Sequence, residues 1–172
     1  MTFFNMSSPG LTVLATHRVL TNLSGFDSGD FFGQAGDLFD GSSGPGITIE
    51  VFTNGRLTPL RLKPSVDLAA LMPDLSPKQR TLDVVILHRL LIEKCLGISE
   101  EAVRKESHIL YLRDRDAAIH MVSEGKAQIA FLLNPTRLDQ VRDIAYEGNV
   151  LPQKSTDFYP KVLSGLTIYM MT

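Results

Sequence analysis

The amino-acid sequence predicts one domain of the α/β or α+β class, a mixed β-sheet of about six or seven strands with helices packed on it. Three observations predict it. Short apolar runs, several of them alternating with polar residues, recur from Leu11 to Leu133 and return at Leu163–Met171, separated by turn-forming clusters. One longer apolar stretch, 76–96, has a capped start and the length of a helix. From Ile109 to Leu133 an apolar run, a helical segment and a second apolar run follow one another, which is the pattern of a β-α-β unit with parallel strands and a right-handed crossover. At 172 residues, 44% hydrophobic and 21% charged, the chain is long enough to build its own core.

Thr2–Met6 and Leu11–Thr16 flank Ser7-Ser8-Pro9-Gly10, a turn composition that predicts a β-hairpin, with Thr16-His17-Arg18 at the end of its second strand. Opening directly on a strand fits a chain cut from something larger. Between Ser24 and Gly46 lie seven of the thirteen glycines, together with Asp27, Asp30, Asp37 and Asp40. Phe26, Phe31, Phe32, Leu38 and Phe39 can line one side of a helix there, but glycine weakens it, and a flexible segment or lid is expected. The four aspartates lack the spacing of a calcium-binding loop, so no metal site is assigned. Ile47–Val51 and Leu60–Lys63 alternate around Asn54-Gly55, the dipeptide of a type I′ hairpin turn. Pro59 donates no ladder hydrogen bond, which makes the second strand an edge or bulged strand.

Ser76-Pro77-Lys78-Gln79 is a helix start with an N-cap, a proline at the first position and a capping box. The spacing predicts a helix from there to Leu96, ended by Gly97 and apolar around most of its circumference. His88 falls within its apolar face as a buried histidine held by one hydrogen bond, and Arg89 with Glu93 form a surface pair. Ile109–Leu112, Asp114–Glu124 and Gln128–Leu133 make the strand, helix and strand of the β-α-β unit. Asn134 then caps a last helix starting at Pro135, with Leu138, Val141, Ile144 and Ala145 inward and Gly148 at its end. Leu163–Met171 supplies a final apolar strand.

Charge and chemistry narrow the function. Seventeen basic against nineteen acidic side chains give a net charge of −2 with no basic run longer than a pair, so a nucleic-acid surface is not indicated. The single Cys95 excludes an internal disulfide and indicates a reducing, cytoplasmic setting. No apolar stretch approaches the roughly 18 residues that span a membrane. The sequence holds no Walker-type phosphate loop, no Gly-x-Ser-x-Gly elbow and no His-Glu-x-x-His zinc pair. The stretch richest in donors is Pro152–Leu166, where Lys154, Ser155 and Thr156 are the types that hold a phosphate. Three strand-end groups are expected to converge: Thr16-His17-Arg18, Asn134-Pro135-Thr136, and Lys154-Ser155-Thr156 with Tyr159 and Lys161. In that pocket Arg18, Lys154 and Lys161 would hold phosphate oxygens, with Thr136, Ser155, Thr156 and Tyr159 as further ligands. His17 would act as general acid or base. The plainer alternative is that Lys-Ser-Thr shapes a loop, Phe158 and Tyr159 anchor the core, and Arg18 ties down a carboxylate such as Asp157.

Lys-Ser-Thr-x-Phe-Tyr-Pro-Lys at 154–161, together with Thr16-His17-Arg18, Leu82-Asp83-Val84, Leu96-Gly97 and Ala130–Thr136, resembles the prokaryotic family catalogued as domain of unknown function ten-fifteen. The resemblance covers nearly the whole chain. It implies longer relatives whose upstream half carries an Asp-Gly-His-His-Arg segment, similar to the nucleotide-handling motif of ParB-like proteins and free-serine kinases. No such segment occurs here, so the chain resembles the C-terminal half of such a protein. At Asp157 it departs from the family, where an aromatic residue is usual. The resemblance implies a phosphate-bearing ligand, a nucleotide with magnesium among the options, and a phosphotransferase-like protein. The expected partners are the upstream half or a second copy of the chain. The other reading kept open is a non-catalytic structural or regulatory domain.

Overall fold

The computed structural model describes residues 10–161. Its main sheet has six strands in the order β3-β5-β4-β7-β2-β6: β2 (His17–Leu20), β3 (Phe39–Asp40), β4 (Thr48–Thr53), β5 (Arg56–Leu62), β6 (Ile109–Leu112) and β7 (Ile129–Leu132). A separate pair joins β1 (Thr12–Leu14) to β8 (Asp157–Tyr159). The single α/β domain expected from the sequence is therefore present, and every recorded strand pair is antiparallel. The β-α-β unit takes a split form. β6 and β7 run parallel to each other, but β2 lies between them and pairs antiparallel with both.

Helices cover both faces of the sheet. On one face lie α1 (Ser28–Ala35) and the helical run that begins at α4 (Asp83–Ile86), burying Phe31, Leu87 and Leu91 against Leu20, Ile49 and Phe131. On the other face α6 (Arg115–Ser123) covers Val19, Phe52 and Ala130. All four residues of β2 and all four of β7 are buried, as central strands of a doubly covered sheet must be. In the β4–β5 hairpin Asn54 and Gly55 have φ of 49° and 70°, the two positive values that a type I′ turn demands. Pro59 pairs with Glu50, while β3 reaches only Arg61 and Leu62 of β5, so the missing proline N–H faces no third strand. Within the glycine-rich stretch the phenylalanine spacing becomes α1, capped by Asp27, whose carboxylate accepts from the Asp30 N–H at 2.9 Å.

The helix predicted over 76–96, which follows the single turn of α2 (Leu68–Leu71), is broken in two. The capping box at Ser76 and Gln79 forms, but the first piece, α3 (Pro77–Arg80), ends after one turn. There the Thr81 hydroxyl donates to the Lys78 carbonyl, and Leu82 turns extended to bury its side chain. The chain resumes as α4 and continues as a π-helical segment, Leu87–Cys95, before Gly97 ends it at φ 68°. Bonds such as Leu96 N–H to Leu91 carbonyl, 3.1 Å, span five residues, and the wider turn lets Leu87, Leu90, Leu91, Ile92 and Cys95 all reach the core. After it come α5 (Glu100–Arg104) and, after β7, α7 (Leu138–Tyr146). The latter starts three residues later than expected, because Pro135 keeps Asn134 from a helical turn and Arg137 is still extended. Ile144 is buried and Ala145 exposed, so the inward face of α7 is narrower than its apolar residues suggest.

The second apolar run also differs. It ends at Leu14, and His17 opens a new strand rather than closing the old one. The Arg18 guanidinium fastens this break by donating to the Thr16 carbonyl. The expected strands at Thr2–Met6 and Leu163–Met171 lie outside the described residues. Because Leu91 is wholly buried between sheet and π segment, Leu91→Ala should cost about 2–5 kcal/mol in urea unfolding. A loss below about 1 kcal/mol would mean that this segment does not carry the core.

Candidate functional site

Neighbouring residues on a strand point to opposite faces. His17 and Arg18 are therefore parted by the sheet, and the expected convergence of the two does not occur. Val19, two residues from His17, belongs to the α6 side, and Leu20, two from Arg18, to the π-segment side. On the α6 side the buried His17 accepts the Leu133 N–H at Nδ1, 3.2 Å, which fixes it as a neutral ring. Burial lowers its pKa first, the charges of Arg115 and Arg18 push the same way, and Asp114 and Glu50 oppose them.

Arg18 occupies the other side, 1% exposed, and is among the largest fully buried side chains. One guanidinium nitrogen reaches the Thr16 carbonyl and the other the Lys154 carbonyl at 2.9 Å, while Nε has no partner among the described residues. Its carbon lies 5.3 Å from the centre of the Tyr111 ring, and the Lys154 ammonium lies 5.8 Å from the same centre. Two cations thus share one aromatic ring. No carboxylate answers them: Arg18 makes no ion pair among the described residues, and the sequence outside them contains no Asp or Glu. Burial draws the Arg18 pKa down to about 10, which still leaves it charged at neutral pH. A buried charge without a counter-ion costs on the order of several kcal/mol.

The remaining predicted residues divide. Thr136 donates its hydroxyl to the Ser155 carbonyl at 2.8 Å, and the buried Ser155 hydroxyl turns back to the Pro152 carbonyl. Both are spent on shaping the loop. Lys154 stands at φ 57° at the tip of that loop, exposed, with its carbonyl held by Arg18. Thr156 is half-buried, and Tyr159 is exposed in β8, where it pairs with Thr12. Lys161 is tied to Asp157 at 2.8 Å, and Arg113 grips the same carboxylate. Asp157 is held below the usual carboxylate range by Lys161 first and Arg113 next. It is thus Arg113 and Lys161, not Arg18, that take the carboxylate. Asn134-Pro135-Thr136 offers no helix N-terminus, since α7 begins beyond it and Asn134 bonds Asp83.

Sequence reasoning missed two members of the cluster. Tyr111 sits opposite Arg18 in the β2–β6 ladder, and its hydroxyl is buried with no partner among the described residues. His88, carried by the π segment, also has an Nε2 with no partner among the described residues; burial first and then the Arg18 charge lower its pKa to about 3. The single hydrogen bond expected for its buried ring is not made at this atom. The signal for Tyr111 was its place across the ladder from a charged residue, which needs the register. His88 also lines a cleft of about 380 Å³ between the π segment, α5 and the loop 150–153. Among the described residues no group of three His, Cys, Asp or Glu is placed to hold a metal.

Both histidines have folded pKa values below the unfolded value of about 6.5. Stability should be full above that pH and fall as pH drops below it, by at most about 1.4 kcal/mol per pH unit for each ring. Between pH 6.5 and 5, above the range where carboxylates contribute, His88→Gln should flatten the decline seen in chemical unfolding. Identical slopes in the two proteins would show that His88 is not held neutral.

Comparison with solved structures finds the same fold. A free serine kinase in complex with AMP superposes with a TM-score of 0.51 at 10% identity, over 90% of this chain and 56% of that one. A conserved hypothetical protein from Pyrococcus furiosus gives 0.52 at 11% identity, over 90% and 59%. A single-residue mutant of a free serine kinase, also in complex with AMP, gives 0.52 at 11%, over 90% and 57%. The chain therefore spans a little under three fifths of the length of these structures. Comparison with curated proteins finds no match. Residues 1–143, from the first strand through most of α7 but short of the Lys154 loop, match the model of one family, and the chain belongs to it: Protein of unknown function (DUF1015).

Proposed function

We propose that the chain binds a phosphate-bearing small molecule, a nucleotide in the first instance, as one half of a phosphotransferase-like protein of the serine-kinase kind. The observation that carries this reading is Arg18, a buried guanidinium whose Nε–H is free and which has no acidic partner among the described residues, with a second cation, Lys154, at the same Tyr111 ring. An anion supplies the missing counter-charge, and a phosphate offers several acceptor oxygens to two cations at once. The likeness in fold to kinases solved with AMP supports a nucleotide over other phosphates. Magnesium would then arrive on the nucleotide's own phosphates. The ParB-like association rests on the sequence resemblance.

Catalysis is assigned to the protein that includes the upstream half. His17, the predicted general base, lies across the sheet from Arg18. That placement favours a second reading, in which this chain binds and regulates without turning the ligand over. The expected setting is cytoplasmic, with the upstream half or a second copy as partner; among the described residues no helix is long and apolar enough to cross a membrane.

A thermal-shift screen against inorganic phosphate and free nucleotides, with and without magnesium, tests the reading. A ligand at a hundred times its dissociation constant should raise the melting temperature by roughly 5 to 10 °C. Lys154→Ala, a change at an exposed position, should remove the shift and leave the unliganded protein folded. No shift with any of these ligands, or a shift that survives in the variant, would overturn it.

A further inference from the structure

Two residues of the cleft's lining, His88 and Gln153, lead from it toward the cation pair. His88 lines the cleft and feels the charge of Arg18. Gln153 lines the cleft on the other side, and the next residue is Lys154, whose carbonyl Arg18 holds. The cleft therefore adjoins the loop that carries Lys154. Its volume, about 380 Å³, falls in the range of small-molecule sites.

The lining sets what fits. Leu75, Val85, Ile98, Val103 and Leu151 give an apolar interior. The charged residues at the cleft are already matched: Arg89 pairs with Asp74 at 2.9 Å and with Glu93 at 3.6 Å, and Arg104 pairs with Glu100 at 2.9 Å. Gln79 is also used up, accepting from the Ser76 N–H and donating to the Val150 carbonyl, each at 2.9 Å. That leaves an apolar slot rimmed by ion pairs in which three carboxylates face two arginines, so the positive charge for an anion comes from beyond its lining, from Arg18 and Lys154. Inorganic phosphate alone would leave this slot unfilled.

We infer that the cleft between the π segment, α5 and the loop 150–153 holds the flat, largely apolar body of a phosphate monoester whose anionic group sits at Arg18 and Lys154. The ligand class is an organic phosphate of nucleoside-monophosphate size, and the cleft sets its specificity. This inference rests on the anion site proposed above and goes beyond it by naming the wall that reads the body. Two exposed positions on different walls allow a test that spares the core. Val150 is 78% exposed on the loop, and the Arg104 side chain is 73% exposed on α5. A tryptophan at either fills the slot without touching the cations.

Titration calorimetry on the full chain should find AMP bound at least about tenfold more tightly than inorganic phosphate, because only AMP has a body to bury. Val150→Trp and Arg104→Trp should each weaken AMP by about tenfold or more while phosphate affinity stays the same. Lys154→Ala should weaken both. Equal affinities for AMP and phosphate in the unaltered chain, or AMP affinity untouched by both tryptophan variants, would overturn the cleft assignment while leaving the anion site standing. If neither AMP nor phosphate binds, the anion site fails and the cleft assignment fails with it.

Discussion

A single uncompensated charge organises this region of the protein. Arg18 sits in a central strand where both faces are covered, and its guanidinium is held by two backbone carbonyls rather than by a carboxylate. One carbonyl belongs to the break between β1 and β2, the other to the loop that presents Lys154. Through them the charge ties the small β1–β8 pair and the loop to the main sheet. Such hydrogen bonds satisfy donors, but they do not neutralise a buried cation. The fold tolerates that cost at one point, beside a second cation and a cleft.

The pleat of the sheet then decides what the site can do. Because His17 and Arg18 are adjacent on β2, one must face α6 and the other the π segment. A phosphate held by Arg18 cannot reach the His17 ring. What surrounds the guanidinium instead is a neutral histidine, a buried phenol and a lysine, a set that can hold an anion and orient it. The π segment belongs to the same design. Its wide turns bring five apolar side chains to the core and still leave His88 and Arg89 on the cleft, a division that a regular helix of this composition would not give.

Local signals in the sequence translated directly into structure. Asn54-Gly55, the Ser76 capping box, and Gly97, Gly125 and Gly148 as helix ends are each set by one or two residues, and each is found where the spacing puts it. The class of fold and the strands of the split β-α-β unit were legible for the same reason. Long-range pairing was not. Nothing local says that β2 inserts between β6 and β7, and with that insertion go the facing of His17, the place of Tyr111 and the isolation of Arg18. Of the predicted site, Arg18 and Lys154 do come together, joined by a hydrogen bond between residues 136 positions apart. Thr136, Ser155 and Lys161 are the right types with prior engagements: two hydroxyls on carbonyls and one ammonium on Asp157. That last engagement follows from Asp157, whose carboxylate offers Lys161 a charge to pair with.

The central claim is that the free Nε–H of Arg18 is kept for an anion. Nuclear magnetic resonance of the arginine Nε–H groups in the nitrogen-labelled chain tests it most directly, with inorganic phosphate and AMP added in turn and Arg18→Lys used to assign the signal. The claim predicts that the Arg18 resonance shifts and becomes protected from exchange with water as either ligand saturates. An Arg18 signal that stays in place while the protein is exposed to both ligands would contradict it.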